Sequence, residues 1–331
     1  MRDSDYIVSA TPHIRDNSTI ERVMLDVIIA LTPAAVAAAY FFGYRAIVMV
    51  LISLTSCYLF EQVYMIAAKK ADTTRDLSAL VTGLLLAFNL PVSAPLWLPV
   101  IGSAFAMIIV KQLFGGLGQN FMNPALAARA FLQTAYPDRM VTFIEPVRGF
   151  FYSGADAVTS ATPLTLLTQG TFSPTQADYV NAFFGNMGGS LGETSAIALI
   201  LGGIYLVIRK VISWRIPVTF IGTFFALFFI FGRDGALTGY PFYEVLAGGL
   251  LLGAIYMATD YSSSPITPPG QIVMGVGCGV LTYVIRVFGG YPEGVAYAIL
   301  IMNLCVPLID RFIRPRPYGL ERGGGKHARN D

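Results

Sequence analysis

Residues 156–167 read DAVTSATPLTLL and gather four hydroxyl side chains, Thr159, Ser160, Thr162 and Thr165, around the small Ala161. A hydroxyl becomes a covalent acceptor when water, a second protein and a bulky donor can all reach it, and small neighbours give that access. Pro163 drives Thr162 out of helical geometry toward an extended one. Thr162 is therefore expected to present its hydroxyl to solvent rather than tuck it against a helix. An ordinary Ser/Thr-rich turn has the same composition. A second polar stretch, FGGLGQNFMNPALAARAFL (114–132), sets Asn120, Asn123 and Pro124 just ahead of a short apolar helix. Asn and Pro suit a helix start, and helix starts bind anions. Simple capping of a membrane helix explains the same residues. Arg129 follows one or two turns later, and a cation inside a span is costly enough that it faces a partner or a cavity.

Other chemistries find no support. No Gly-rich phosphate loop opens a helix after a strand, and no His–Glu metalloprotease pattern occurs. The SGAD at 153–156 lacks the Gly-x-Ser-x-Gly of a nucleophile elbow. Cys57, Cys278 and Cys305 lie in apolar runs without ligand spacing and read as packing residues. His13 and His327 sit in polar tails, so no zinc site is read. A net charge of +2 points to no nucleic-acid partner.

The elements that must position these residues are membrane helices. The 331 residues are 55% hydrophobic and 13% charged, with mean hydropathy +0.62. A soluble domain carries roughly 25% charge. Apolar segments recur at 23–43, 46–68, 77–90, 96–114, 123–135, 192–212, 216–232, 242–259, 270–288 and 294–312. The fold class is thus an all-α polytopic membrane protein with about ten transmembrane helices. The third and fifth segments are short. At 1.5 Å per residue they reach only ~20 Å of the ~30 Å hydrocarbon core. Short or broken helices are tolerated where protein or a cavity shields their backbone. Asp26, Glu61 and Glu244 fall inside spans and are functional candidates on that ground, though Asp26 and Glu61 lie near span ends, within reach of an interface.

With the N-terminus inside, sixteen of the 22 Lys and Arg residues flank the inner side, Lys111 among them. Arg45, Arg129, Arg139, Arg148, Arg233 and Arg286 remain outside. That asymmetry places both termini in the cytoplasm. Residues 1–22 then form a cytoplasmic segment without a cleavable signal peptide. Residues 23–135 are the first five spans, 136–191 an outer loop carrying the hydroxyl cluster, 192–312 five more spans and 313–331 a basic cytoplasmic tail. LWLPVIGSAFAMIIVKQLFGG (96–116) resembles QIVMGVGCGVLTYVIRVFGG (271–290), and each copy follows a Pro- and Ser-containing bend. The two run in opposite directions, the mark of two inverted five-helix repeats.

DAVTSAT is Asp-x-x-(Ser/Thr)-(Gly/Ser)-Ala-Thr, and it resembles the motif at which a flavin transferase attaches FMN to the last Thr by a phosphoester bond. Together with FGGLGQNFMNPA, DLSALVTGLLLAFNLP (76–91), YPEGVAYAILIMNLCVPLIDRF (291–312) and the span pattern, it makes the whole chain similar to the NqrB/RnfD family. These are membrane subunits of sodium-pumping NADH:quinone oxidoreductases and of Rnf ion-translocating electron-transport complexes. The resemblance implies covalent FMN on Thr162, with Asp156, Thr159, Ser160 and Ala161 as recognition positions. Ala157 stands where Gly is common, which leaves the acceptor intact. It implies a second, non-covalent flavin such as riboflavin, at no position the sequence identifies. It further implies other membrane and peripheral subunits as partners, a flavin transferase for maturation, surrounding lipid, and a bacterial inner membrane with the flavin loop in the periplasm. Arg129, Asn120 and Asn123 are candidate flavin contacts. Two other readings compete: a small-solute channel or secondary transporter of urea- or ammonium-channel architecture, and a scaffold without redox chemistry. Colour of the purified chain separates the flavin reading from both.

Overall fold

Apolar sequence makes the long helices, and polar or glycine positions cut them. Thr19 caps α1 (Ile20–Phe42) by accepting the Arg22 N–H. Gly43 alone separates it from α2 (Tyr44–Ala68). The structure is a computed structural model that describes residues 19–70, 74–146, 159–160, 162–233, 235, 237, 239–290 and 293–314. Among these, α1, α2, α13 (Pro268–Phe288) and α14 (Val295–Phe312) are each long and apolar enough to cross a membrane. All ten apolar segments hold helix. The helices turn large apolar side chains such as Leu51, Leu59, Val63, Ile66, Leu201 and Leu304 outward, as lipid-facing surfaces require. The chain is an all-α polytopic membrane protein. Its only strands among the described residues are the two-residue β1 (Phe143–Ile144) and β2 (Thr159–Ser160), paired antiparallel.

The short third and fifth segments are α3 (Ser78–Phe88) and α5 (Pro124–Ala135). A helix that stops inside the protein leaves carbonyls without partners. After α3, Asn89 and Leu90 donate to the Leu86 and Ala87 carbonyls, and the chain returns a hundred residues later to meet the next ones. The Gly192 N–H donates to the Phe88 carbonyl (2.9 Å) and the Leu191 N–H to that of Leu90 (3.1 Å). A side chain at Gly192 would run into Phe88. This explains why residues 192–195, expected to begin a span, instead belong to a buried plug, 190–195, ahead of α9 (Ala196–Ile208). At α5, Asn123 caps the N–H groups of Ala125 and Leu126 at 3.0 and 3.2 Å.

Two breaks are not foreshadowed by the apolar pattern. The fourth segment runs as α4 (Leu98–Ala104) into a π-helical stretch, Phe105–Gln112. The eighth is interrupted. After α6 (Pro137–Val141), α7 (Pro163–Thr168), α8 (Gln176–Phe184) and α10 (Arg215–Phe231), α11 (Pro241–Leu246) stops at an extended Ala247. Gly248 follows with φ 74°, and the helix resumes as α12 (Leu250–Leu252) and a π turn to Met257. Close packing relies on small residues, as is usual between membrane helices. Gly83 of α3 lies against the α2 backbone and Gly279 of α13 against that of α10. Tyr256 donates into the Ala30 and Leu199 carbonyls of α1 and α9.

The basic residues that precede each Phe-Gly-Gly, Lys111 and Arg286, do not flank the membrane as expected. Both are buried, at 2% and 0% exposure. Each ties the end of its helix to a shortened one. Lys111 Nζ lies 2.8 Å from Glu61 Oε1 and 2.6 Å from Ser78 Oγ at the start of α3. Arg286 binds the Glu244 carboxylate at 3.1 Å in α11. Each half thus holds a buried pair of a basic residue and a glutamate.

Candidate functional site

Thr162 has φ −60° and ψ 148°, the extended geometry that a following proline imposes. Its hydroxyl is not presented to solvent, however. It accepts the Thr165 N–H at 3.2 Å, shares a hydrogen bond with the Thr165 hydroxyl at 2.7 Å, and leaves Thr162 only 8% exposed. The expectation of an exposed hydroxyl rests on Pro163 and neglects that Thr is itself a helix cap. α7 is docked on the protein. Leu164 and Leu167 pack with Tyr243, Ala247 and Met187, and Arg233 donates to Thr168 Oγ1 (2.9 Å). Thr159 and Ser160 form β2, in register with Ile144 and Phe143. Asp156 and Ala161 lie outside the described residues.

Thr162 opens onto a narrow cleft that also touches Gly188, Gly248, Glu193 and Glu293. Pro163, Met187 and Gly188 line this cleft and, equally, a larger neighbouring cavity of about 460 Å³. That cavity carries the rings of Phe172 and Tyr243, the amides of Asn181 and Asn186, and the carboxylates of Glu145 and Asp178. Hydrogen bonds from the Thr175 hydroxyl and backbone N–H hold the Asp178 carboxyl below its usual range, so it is anionic.

Arg129 stands behind the cleft. One guanidinium nitrogen donates to Asn89 Oδ1 (2.7 Å) and Glu193 Oε1 (3.2 Å). The other pairs with the Glu293 carboxylate. Arg129 therefore reaches the Thr162 cleft through two glutamates rather than directly. Arg129 is thus the cation that both glutamates share, and Arg286 stands close by, bound to the Glu293 carbonyl. Neither Glu193 nor Glu293 stands out in the sequence. The one signal for each is an acid set among glycines and small residues, GGSLGETS and YPEG.

Glu244 and Asp26 are partnered as well. Glu244 binds Arg233 (2.7 Å) and Arg286. Arg286 also donates to the carbonyls of Glu244 (2.5 Å), Ala247 (3.3 Å) and Glu293 (3.0 Å), and so closes the broken end of α11. Asp26 pairs with Arg209 (3.2 Å) and Tyr205 (2.7 Å).

Asn120 and Asn123 do not join Thr162. They line a separate cavity of about 70 Å³ with Ser78, Lys111 and Asp260, among the ends of α1, α9 and the fourth segment. Asn120 Oδ1 is buried there without a hydrogen-bond partner among the described residues. A polar chain links the two places. Asn123 Nδ2 donates to the Met257 carbonyl (3.4 Å), Asn89 Nδ2 contacts the Met257 sulfur (3.6 Å), and Asn89 accepts from Arg129. The ends of α3, α5 and the π turn therefore meet inside the protein, between one small cavity and the Thr162 cleft.

Comparison with known proteins places these features in context. The family model described as NQR2, RnfD, RnfE matches residues 7–319. The D subunit of the Na(+)-translocating ferredoxin:NAD(+) oxidoreductase complex of Acetobacterium woodii is 46% identical, over 97% of this chain and 98% of that protein. The D subunit of the proton-translocating ferredoxin:NAD(+) oxidoreductase complex of Clostridium ljungdahlii is 43% identical, over 96% and 97%. The D subunit of an ion-translocating oxidoreductase complex of Stutzerimonas stutzeri is 40% identical, over 93% and 94%.

Proposed function

The chain belongs to the NQR2, RnfD, RnfE family, and on that premise we propose that it is the D subunit of an Rnf-type ion-translocating ferredoxin:NAD(+) oxidoreductase, carrying FMN on Thr162. It works with other membrane and peripheral subunits, and a flavin transferase matures it. Both termini face the cytoplasm and the α7 loop the periplasm, as the basic residues favour. The names of similar proteins include both a sodium and a proton translocator, so similarity does not choose the ion.

The observation that carries the flavin reading is Thr162, held on a narrow cleft that shares the walls Pro163, Met187 and Gly188 with the 460 Å³ cavity. That volume suits a cofactor, and Phe172 and Tyr243 offer ring faces. Esterification removes the Thr162 proton but keeps its oxygen as an acceptor, so the Thr165 N–H retains its partner. Bound FMN supplies electron transfer; the chain supplies attachment, position and field. The inner cavity, at about 70 Å³, is below the size of a flavin site, and the second flavin is assigned no place.

The test is peptide mass mapping of the chain purified from membranes with and without a co-expressed flavin transferase. The reading requires a transferase-dependent gain of FMN less one water on the peptide bearing Thr162. An unmodified peptide in a complex that still transfers electrons would refute it. The meeting of broken helix ends also suits a small-solute channel, and a colourless, transport-competent chain would favour that reading.

A further inference from the structure

The geometry points to a binding site for one anionic phospholipid in the cleft between α9, α10 and the interrupted eighth segment. This site is independent of the flavin. Beside the break after α11 lies an apolar cavity of about 460 Å³, open to the side and lined by Gly203, Ile204, Val218, Ile221, Leu251 and Ile255. Ile204 and Val218 are half exposed, at 51% and 56%, so the cleft faces outward between helices. An empty cleft of this kind forfeits dispersion contacts along its walls, and in a bilayer an acyl chain is the solvent at hand.

The mouth of the cleft identifies the head group. Its lining continues through Ile208 and Ile212 to Trp214, in the turn between α9 and α10. Trp214 is 56% exposed, and Trp favours the membrane–water boundary. The Arg215 guanidinium lies over its ring at 5.8 Å and donates to Ser213 Oγ, which holds the charge beside the opening. Lys210, exposed and held in a left-handed turn by φ 59°, makes no ion pair among the described residues. Arg209 is engaged by Asp26. Two available cations and an interfacial Trp at the end of a greasy cleft complement a phosphate with an acyl tail. Basic pockets between membrane helices bind anionic head groups for this reason.

The test is native mass spectrometry of the detergent-purified complex, titrated with phosphatidylglycerol or with phosphatidylcholine of the same chains. Phosphatidylglycerol is expected to fill one saturable site, with phosphatidylcholine weaker. Lys210→Asn, which tolerates the left-handed backbone, combined with Arg215→Gln should weaken phosphatidylglycerol about 30-fold, the worth of two basic contacts near the surface. Phosphatidylcholine should be unaffected by that pair. Ile204→Trp should exclude both lipids by filling the cleft. Equal binding of the two lipids, or unchanged phosphatidylglycerol binding in the double variant, overturns the proposal. So does a photo-crosslinker at Ile204 that captures another subunit's helix, or a second copy of this chain, instead of lipid.

Discussion

Replacing Thr162 separates two roles that its oxygen plays at once. In the structure that oxygen caps α7 through the Thr165 N–H and shares a hydrogen bond with the Thr165 hydroxyl. Thr162→Ala removes both bonds. A lost N-cap costs about 1 kcal/mol, roughly a fivefold change in the ratio of formed to frayed α7. Dark protein in that variant could therefore report a loosened loop rather than a missing nucleophile. Thr162→Asn resolves the ambiguity, because Asn caps at least as well as Thr and has no hydroxyl to esterify. Thr162→Ser keeps both functions. With a flavin transferase co-expressed, the denatured band should fluoresce in wild type and, more weakly, in the Ser variant. It should be dark in Asn and Ala. Limited proteolysis near residues 162–170 should quicken only in the Ala variant. A band of wild-type intensity in Thr162→Asn would refute the argument and move the acceptor to another hydroxyl.

Four further expectations follow from the buried charges, the plug and the topology. Arg129→Ala leaves Glu193 and Glu293 without their cation and should cost about 3–5 kcal/mol. Adding Glu193→Gln should recover part of this in thermal or denaturant unfolding, whereas strictly additive losses would mean that the pair is not coupled. Lys111→Met should be comparably destabilising, and Lys111→Met with Glu61→Leu should return most of the stability; a double variant worse than the single would contradict that. Gly192→Ala should cost about 1–3 kcal/mol through overlap with Phe88, read as a lowered unfolding midpoint, and a neutral result would show that the plug can shift. Reporter fusions at Lys70 and Arg314 should report cytoplasm and one at Thr171 the outside; a cytoplasmic signal at Thr171 would invert the orientation.

The helices are legible in the sequence because their cause is local. Runs such as 295–312 are apolar enough to specify a span wherever they fold, and Asn123-Pro124 announces a helix start without help from elsewhere. The shortness of α3 and α5 is also visible, since it is a matter of counting residues. The break after Ala247 is not, because Ala-Gly-Gly is compatible with a membrane helix, and its tie to Arg286 comes from 39 positions further on. Lys111 misleads for the opposite reason. A lysine at the end of an apolar run reads as a flank, and only the position of Glu61, 50 residues away, turns it inward. Thr162 is marked by its neighbours' chemistry, whereas its burial depends on how α7 docks against Tyr243 and Met187. Glu193 and Glu293 are hidden because each matters only through Arg129, and no spacing rule connects three residues brought together from such distant parts of the chain.

The hydrogen bonds from Leu191 and Gly192 to the end of α3 bear on how the protein is made. While the first five segments emerge from the ribosome, Phe88 and Leu90 have carbonyls facing the interior and no donor to meet them. Arg129 enters the membrane before either of its glutamates has been synthesised. In hydrocarbon those groups are costly to leave bare, so the first half must wait in a hydrated or protein-shielded place, such as an insertion channel or its associated chaperones. The two halves are unequal in time: the earlier one is completed by the later one. Synthesised alone, the first half would be a substrate for membrane proteases rather than a stable half-protein.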